Sequence, residues 1–147
     1  MVFYFAETTI SEQRLLLCRW AEWFHDKGQK VHVAVESTQS AQFIDGLLWT
    51  FSQGSFVPHG VFSPERQESP MEPVLIVIGE NRVPGFDVIL CDTSVSVEFL
   101  QQFETVVHFI LRDDLEKKQD SRVLWQKVRE LGINPVHVPY GRQAGMP

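Results

Sequence analysis

Short apolar runs alternate along the chain with longer stretches whose apolar residues recur at helical spacing. Apolar runs of strand length occur at residues 2–5, 31–35, 74–78, 86–90 and 105–110. A run that is apolar on both faces is typical of a strand buried within a parallel sheet. We therefore predict five such strands. We also expect residues 135–147 to add a short strand and then to fray, with a flexible tail at 139–147.

The stretches between these strands predict helices at residues 11–27, 37–51, 95–102 and 112–131. Ser11 and Ser37 suit the first position of a helix, where a side-chain oxygen accepts a hydrogen bond from a backbone N–H. Gly28 and Gly132 suit the position just after a helix end. Residues 54–73 are rich in proline and polar side chains, and they predict a long loop.

Alternation of apolar strands with amphipathic helices predicts an α/β fold. We expect a three-layer, Rossmann-like sandwich with a mainly parallel central sheet. The length of 147 residues suits one domain spanning residues 1–147. This architecture hosts many unrelated functions, so the fold by itself indicates none of them.

Composition and charge narrow the class of protein. Hydrophobic residues make up 44% of the chain and charged residues 22%, as in ordinary soluble globular proteins. The net charge of −6 argues against a general nucleic-acid binder. Cys18 and Cys91 each lie in an apolar run, which favours reduced, buried thiols. No signal peptide or membrane-length segment is recognisable, so we expect a cytoplasmic protein.

No motif for catalysis, cofactor binding or metal binding stands out. The first strand leads into Ala6-Glu7-Thr8-Thr9, without the glycines that let a backbone approach a pyrophosphate. Asp92 follows an apolar run, but without a phosphate-binding loop this pattern favours a simple turn or helix cap. The five histidines lack metal-ligand spacing. We therefore expect no catalytic residue, cofactor or metal, although a nucleotide-binding or enzymatic site assembled from distant residues stays open as an alternative.

One face of the last long helix carries cations and a tryptophan. At about 100° per residue, a stripe ~60° wide contains Lys118, Arg122, Trp125 and Arg129. Leu124, Val128 and Leu131 fall on a different face, which is expected to meet the core. Neighbouring cations repel each other, so the stripe favours binding of an anionic group, with the tryptophan as an apolar surface. The alternative is a solvated face whose charges pair with the acidic residues at 113–120.

Two aromatic residues are predicted outside the core. On the second helix, Trp49 lies about 140° from Ile44, which belongs to the buried stripe. Phe56 follows in the proline-rich loop. Large aromatic side chains at such positions favour an exposed patch for a protein partner. The alternative is that the loop folds back and buries both rings.

These two features coincide with patterns that resemble the chi subunit of bacterial DNA polymerase III. The first pattern is LW at 48–49 followed by SFVPH at 55–59, a proline-rich loop and an apolar strand. The second is VVHF at 106–109, followed by the cationic helix and by LGIN at 131–134. The overall organisation is similar over nearly the full length.

The resemblance implies a scaffold role without catalysis. Chi-family proteins form a heterodimer with the psi subunit, which anchors them to the clamp-loader complex. They also bind the C-terminal tail of the single-stranded-DNA-binding protein, which is acidic and ends in Pro-Phe with a free carboxylate. Another chain of the polymerase carries the catalysis, and contact with DNA is expected to be indirect.

The resemblance also implies which residues meet each partner. The family's tail-binding positions correspond to Lys118, Arg122, Trp125 and Arg129, with Ile110 at the end of a strand beside them. Trp125 occupies a position at which the family otherwise has an aromatic side chain with a phenol group. The psi-binding patch corresponds to Trp49 and Phe56.

Overall fold

The structure, a computed structural model, describes residues 1–65 and 70–141 and has a parallel sheet at its centre. The described residues form seven strands: β1 (Val2–Thr8), β2 (Val31–Val35), β3 (His59–Val61), β4 (Val74–Ile78), β5 (Val88–Cys91), β6 (Thr105–Leu111) and β7 (Val136–Val138). Their spatial order is β3-β4-β2-β5-β6-β1-β7, and every neighbouring pair is parallel.

Helices cover both faces of this sheet. They are α1 (Gln13–Asp26), α2 (Thr38–Thr50), α3 (Val97–Leu100) and α4 (Leu115–Glu130). Helices α1 and α2 pack on one face, where Trp20 and Ile44 join a core cluster with Val33 and Leu90. Helices α3 and α4 pack on the other face, on a cluster that includes Phe5. The predicted three-layer, Rossmann-like α/β sandwich is therefore confirmed.

Helix ends follow local backbone chemistry, with one exception. Ser37 caps α2 as predicted, because its hydroxyl accepts a hydrogen bond from the backbone N–H of Ser40 at 3.1 Å. Gly28 and Gly132 follow α1 and α4 with φ of 78° and 81°, a conformation that glycine adopts without strain. The predicted cap at Ser11 is wrong. Helix α1 begins at Gln13, and Glu12 precedes it without a side-chain cap.

Three other local predictions are corrected by the structure. The predicted loop at 54–73 contains β3, which pairs with β4 at the sheet edge, and its residues 66–69 lie outside the described part. The helix predicted at 95–102 is the single turn α3, and the helix predicted at 112–131 begins only at Leu115, after Asp114 as its cap. The expected short C-terminal strand is β7, and residues 142–147 of the predicted tail lie outside the described part.

A histidine lies in the core beneath α3. His32 on β2 is 0% exposed, and its ring packs against Phe103 and Phe99 at centroid distances of 5.1 and 5.8 Å. Neither ring nitrogen has a hydrogen-bond partner among the described residues. Burial, together with the positive charge of Arg82, lowers the pKa of His32 to about 4. The folded state therefore contains His32 in its neutral form, and protonation of the His32 ring destabilises the fold.

Candidate functional site on helix α4

Helix α4 begins after a capping aspartate and is joined to the sheet by a polar contact with β6. The Asp114 carboxylate accepts a hydrogen bond from the backbone N–H of Lys117 at 3.0 Å, at the positive end of the helix dipole. Further along, the Ser121 hydroxyl donates to the Lys117 carbonyl at 3.1 Å and lies 2.7 Å from Nε2 of His108. Because Ser121 has one hydroxyl proton, its oxygen accepts from His108, which then carries its proton on Nε2.

His108 and Ser121 are positioning residues that the sequence analysis missed. Burial lowers the pKa of His108 to about 4, so the neutral ring holds α4 against β6 at neutral pH. A signal for this contact was present in the sequence. Ser121 falls at about 300° on the helical projection, beside Val128 at about 280°, so it is a polar residue on the core-facing side. Such a residue usually needs a buried partner.

Trp125 and Ile110 both lie at the margin of the core under α4. The Trp125 ring packs edge-on against Phe5, with centroids 5.0 Å apart and planes 67° apart. Trp125 and Ile110 are both partly buried, and both pack against the same core cluster, together with Leu124 and Ile133. The tryptophan is therefore held in place from below, while part of it remains open to solvent.

The three cations predicted around Trp125 lie on the outer part of the same helix. Arg122 and Arg129 are exposed and Lys118 is partly buried. Among the residues that the structure describes, none of the three forms an ion pair. Nearby carboxylates have other partners: Asp114 caps the helix, and Asp113 accepts a hydrogen bond from the backbone N–H of Ile10 at 3.0 Å.

Within the described residues, the cationic stripe formed by Lys118, Arg122 and Arg129 thus makes none of the ion pairs that the solvated-face alternative predicts. One part of the prediction for this helix is wrong. Leu131 was expected to meet the core with Leu124 and Val128, but it is 47% exposed. The helix ends at Glu130, and Leu131 lies in the terminal turn, where the helical projection no longer sets its direction.

Trp49 and Phe56 form an aromatic patch that is distant from α4 in the sequence. Trp49 lies at the C-terminal end of α2 and Phe56 in the loop that follows. Trp49 is 56% exposed and Phe56 is 66% exposed, with ring centroids 5.8 Å apart. The loop therefore brings the rings together without burying them. His59 supports Trp49 at a centroid distance of 4.7 Å, and its two ring nitrogens lie 2.7 Å from the Val57 carbonyl and 3.0 Å from the Asp45 carbonyl.

At the carboxyl end of β5, a position where such folds often bind ligands, Asp92 is engaged by side chains of α1. Strands β2 and β5 are neighbours whose following helices, α2 and α3, lie on opposite faces of the sheet. Asp92 accepts from Arg14 through both carboxylate oxygens at 3.2 Å and from Gln13 at 3.3 Å. The Asp92 side chain is only 4% exposed, so it serves an internal ion pair.

The described residues show no metal cluster, reactive thiol or membrane-spanning helix. No group of three or more potential metal ligands comes together in residues 1–65 and 70–141. Both cysteines are buried, and burial raises the pKa of each thiol to about 12, which makes them poor nucleophiles. No helix in the same ranges is long and apolar enough to cross a bilayer.

Comparison with known proteins shows which family the chain matches. The family model described as "DNA polymerase III chi subunit, HolC" matches residues 1–136. The chain belongs to the DNA polymerase III chi-subunit family. Both the α4 stripe and the aromatic patch lie within the matched residues. The family is one of accessory replication subunits, in agreement with the resemblance in the sequence.

Two curated relatives carry the same description. The chain is 27% identical to DNA polymerase III subunit chi of Haemophilus influenzae over 119 residues, which is 81% of each chain. It is 25% identical to DNA polymerase III subunit chi of Pseudomonas aeruginosa over 131 residues, which is 88% of this chain and 89% of the relative. The similarity thus extends along most of both relatives.

A solved structure supports the fold. The crystal structure of T4 UvsW superimposes with a TM-score of 0.63 at 12% identity. The match covers 93% of this chain but only 41% of UvsW. At this identity the similarity shows the α/β architecture alone.

Proposed function

We propose that this chain is a non-catalytic subunit of the DNA polymerase III holoenzyme that bridges two partners during replication. One partner is the acidic C-terminal tail of the single-stranded-DNA-binding protein, and the other is the psi subunit of the clamp-loader complex. The observation that carries the proposal is the face of α4, where Lys118, Arg122 and Arg129 share one stripe with the partly buried Trp125. Such a role belongs in the cytoplasm, where bacterial DNA is replicated.

The chemistry of the α4 face suits a peptide that is acidic and ends in phenylalanine. Exposed cations attract acidic side chains over a distance and raise the rate of encounter. The planar Arg122 guanidinium is able to bind a terminal carboxylate through two parallel hydrogen bonds. Trp125 and Ile110, which pack on the same cluster, offer an apolar wall for the terminal ring. Each part of the tail thus has a matching group on one helix and its adjoining strand.

Fluorescence polarisation of a labelled acidic peptide ending in Pro-Phe tests this site. Binding is expected at low salt and should weaken as the salt concentration rises, because exposed charges are screened over a shorter distance. A peptide with the same residues in scrambled order, which moves the phenylalanine inward, is the matched control. Equal binding of both peptides, or of neither, would contradict the proposed site.

The aromatic patch suits the second partner. Trp49 and Phe56 form a continuous exposed apolar surface, and interface energies are concentrated in a few such aromatic residues. The patch is supported from below, because His59 packs against Trp49 and its ring nitrogens lie 2.7 Å and 3.0 Å from two backbone carbonyl oxygens. Little side-chain conformational freedom is therefore lost on binding. We assign this patch to the psi subunit.

The variant Phe56→Asp is expected to lose the psi heterodimer, with affinity reduced at least about a hundred-fold. It would place a charge in a surface that must be desolvated on binding, and central aromatic residues contribute about 2–4 kcal/mol each. The measurement is co-elution with psi from the same organism in size-exclusion chromatography. Ile10→Asp, at a position that is 58% exposed and away from the patch, is the control that should retain the complex. Retention of psi by Phe56→Asp would refute the assignment of the patch.

A further inference from the structure

A second surface of α4 lies on the side opposite the cationic stripe. A cleft of about 620 Å³ opens between α3 and α4. Its apolar lining includes Val95, Val97, Leu100, Val123 and Leu124. Val123 is 48% exposed and Leu131, at the end of the cleft, is 47% exposed. The cleft is thus an open apolar groove and is separate from the surface around Trp125.

Helical geometry shows how the two surfaces share α4. Measured from Lys118, the α4 residues of the groove fall between about 120° and 240° on the helical projection. The residues of the stripe fall between about 340° and 40°. The two surfaces therefore flank the core-facing side of one helix, and a ligand in one does not cover the other.

The charges at the rim of the groove have the sign opposite to the stripe. Three exposed carboxylates, those of Glu98, Asp120 and Glu130, line it together with one ammonium group, that of Lys127. None of these three carboxylates forms an ion pair within the described residues. The groove also reaches the C-terminal end of α4, where the helix dipole adds negative potential. A basic segment is favoured at this surface and an acidic one is repelled.

The dimensions of the groove suit a helix. Its α4 side runs from Asp120 to Leu131, which corresponds to about 16 Å, or about three helical turns. Apolar side chains repeated every three or four residues on a docked helix would enter the groove, and flanking lysines or arginines would meet the carboxylates. The α3 side of the groove is held firmly, because Glu80 accepts hydrogen bonds from both the hydroxyl and the backbone N–H of Ser96.

From these observations we infer that the α3–α4 groove is a docking site for a basic amphipathic helix of a protein partner. The site is independent of the proposed tail and psi surfaces. It gives α4 two ligands of opposite charge, an anionic one on the stripe and a cationic one in the groove. The charge of the groove also helps to keep an acidic tail on the stripe.

The test uses the full chain and a labelled three-turn peptide with leucines on one face and lysines on either side of them. Nitrogen-15 NMR spectra should show shifts concentrated at the groove, and polarisation should give saturable binding. Val123→Asp should weaken this binding at least ten-fold, because it puts a charge into the apolar lining. Val123 is half exposed, so the variant is expected to fold, and an unchanged NMR spectrum away from the groove checks this.

The matched control is Leu115→Asp, at a position on the same helix that is 86% exposed and outside the groove, and it should bind as the parent does. Arg122→Ala should also bind the basic peptide normally, which separates this site from the tail site. Four results would overturn the inference: no saturable binding, equal binding of a peptide with glutamates in place of lysines, unchanged binding by Val123→Asp, or concentration-dependent self-association of the chain through Val123.

Discussion

Replacement of Arg122 by alanine is expected to weaken binding of an acidic peptide ending in Pro-Phe by about ten-fold to a hundred-fold. Arg122 is exposed and unpaired among the described residues, so its guanidinium is free to bind the terminal carboxylate. Hydrogen bonds to a charged group contribute about 1.5–3 kcal/mol, which corresponds to this range of affinity. The measurement is fluorescence polarisation at low, constant salt.

Lys127→Ala is the matched control for this experiment. Lys127 is an exposed cation of the same helix, but it lines the groove on the side opposite Trp125. Its removal changes the net charge by the same amount as removal of Arg122. A general charge effect would weaken both variants equally, whereas a specific site requires the loss to be confined to Arg122→Ala. Unchanged binding by Arg122→Ala would contradict the assigned site.

Acidification is expected to destabilise the protein strongly between pH 6.5 and pH 4. Burial lowers the pKa of His32 from its ordinary value of 6.5 to about 4. Above pH 6.5 the histidine is neutral in both states, so its full contribution to stability is present. Between the two pKa values only the unfolded state binds the proton, and the free energy of unfolding falls as the pH falls. The loss reaches about 3 kcal/mol at pH 4, and His108 adds a loss in the same direction.

Urea unfolding at a series of pH values measures this dependence. His32→Leu is the informative variant, because leucine has a similar volume and suits the apolar site between Phe99 and Phe103. It removes two buried nitrogens that lack partners among the described residues, so it should stabilise the protein by about 1–2 kcal/mol at pH 7. It should also flatten the decline below pH 6.5. An equally steep decline in His32→Leu would show that other groups control acid unfolding.

Most of the architecture could be predicted from the sequence because its central strands are apolar on both faces. The predicted ranges 31–35 and 74–78 coincide with β2 and β4. Strand β3 escaped prediction because it lies at the sheet edge, where His59–Val61 lacks an apolar run. Edge strands are defined by pairing with distant residues, here Val74–Ile78, and such pairing leaves little trace in a local pattern.

The sequence predicted which residues of the candidate site share a helix face, but it did not predict their packing contacts. Helical spacing placed Lys118, Arg122, Trp125 and Arg129 on one face, since periodicity is a local property. The edge-on contact of Trp125 with Phe5 was not predictable, because it joins residues 120 positions apart through the sheet topology. The exposure of Trp49 and Phe56 was likewise undecided until the loop conformation was known. Contacts between residues that are distant in sequence therefore could not be predicted from local patterns.

The most direct test of the central claim, that the α4 face receives the C-terminal tail of the single-stranded-DNA-binding protein, compares two forms of one peptide by isothermal titration calorimetry. Both forms are acidic and end in Pro-Phe, but one has a free carboxylate and the other a C-terminal amide. Our account predicts that the free acid binds with one-to-one stoichiometry and that amidation weakens binding at least ten-fold, because the arginine fork then loses its charged acceptor. Equal affinity of the two forms, or no binding of the free acid, would contradict it.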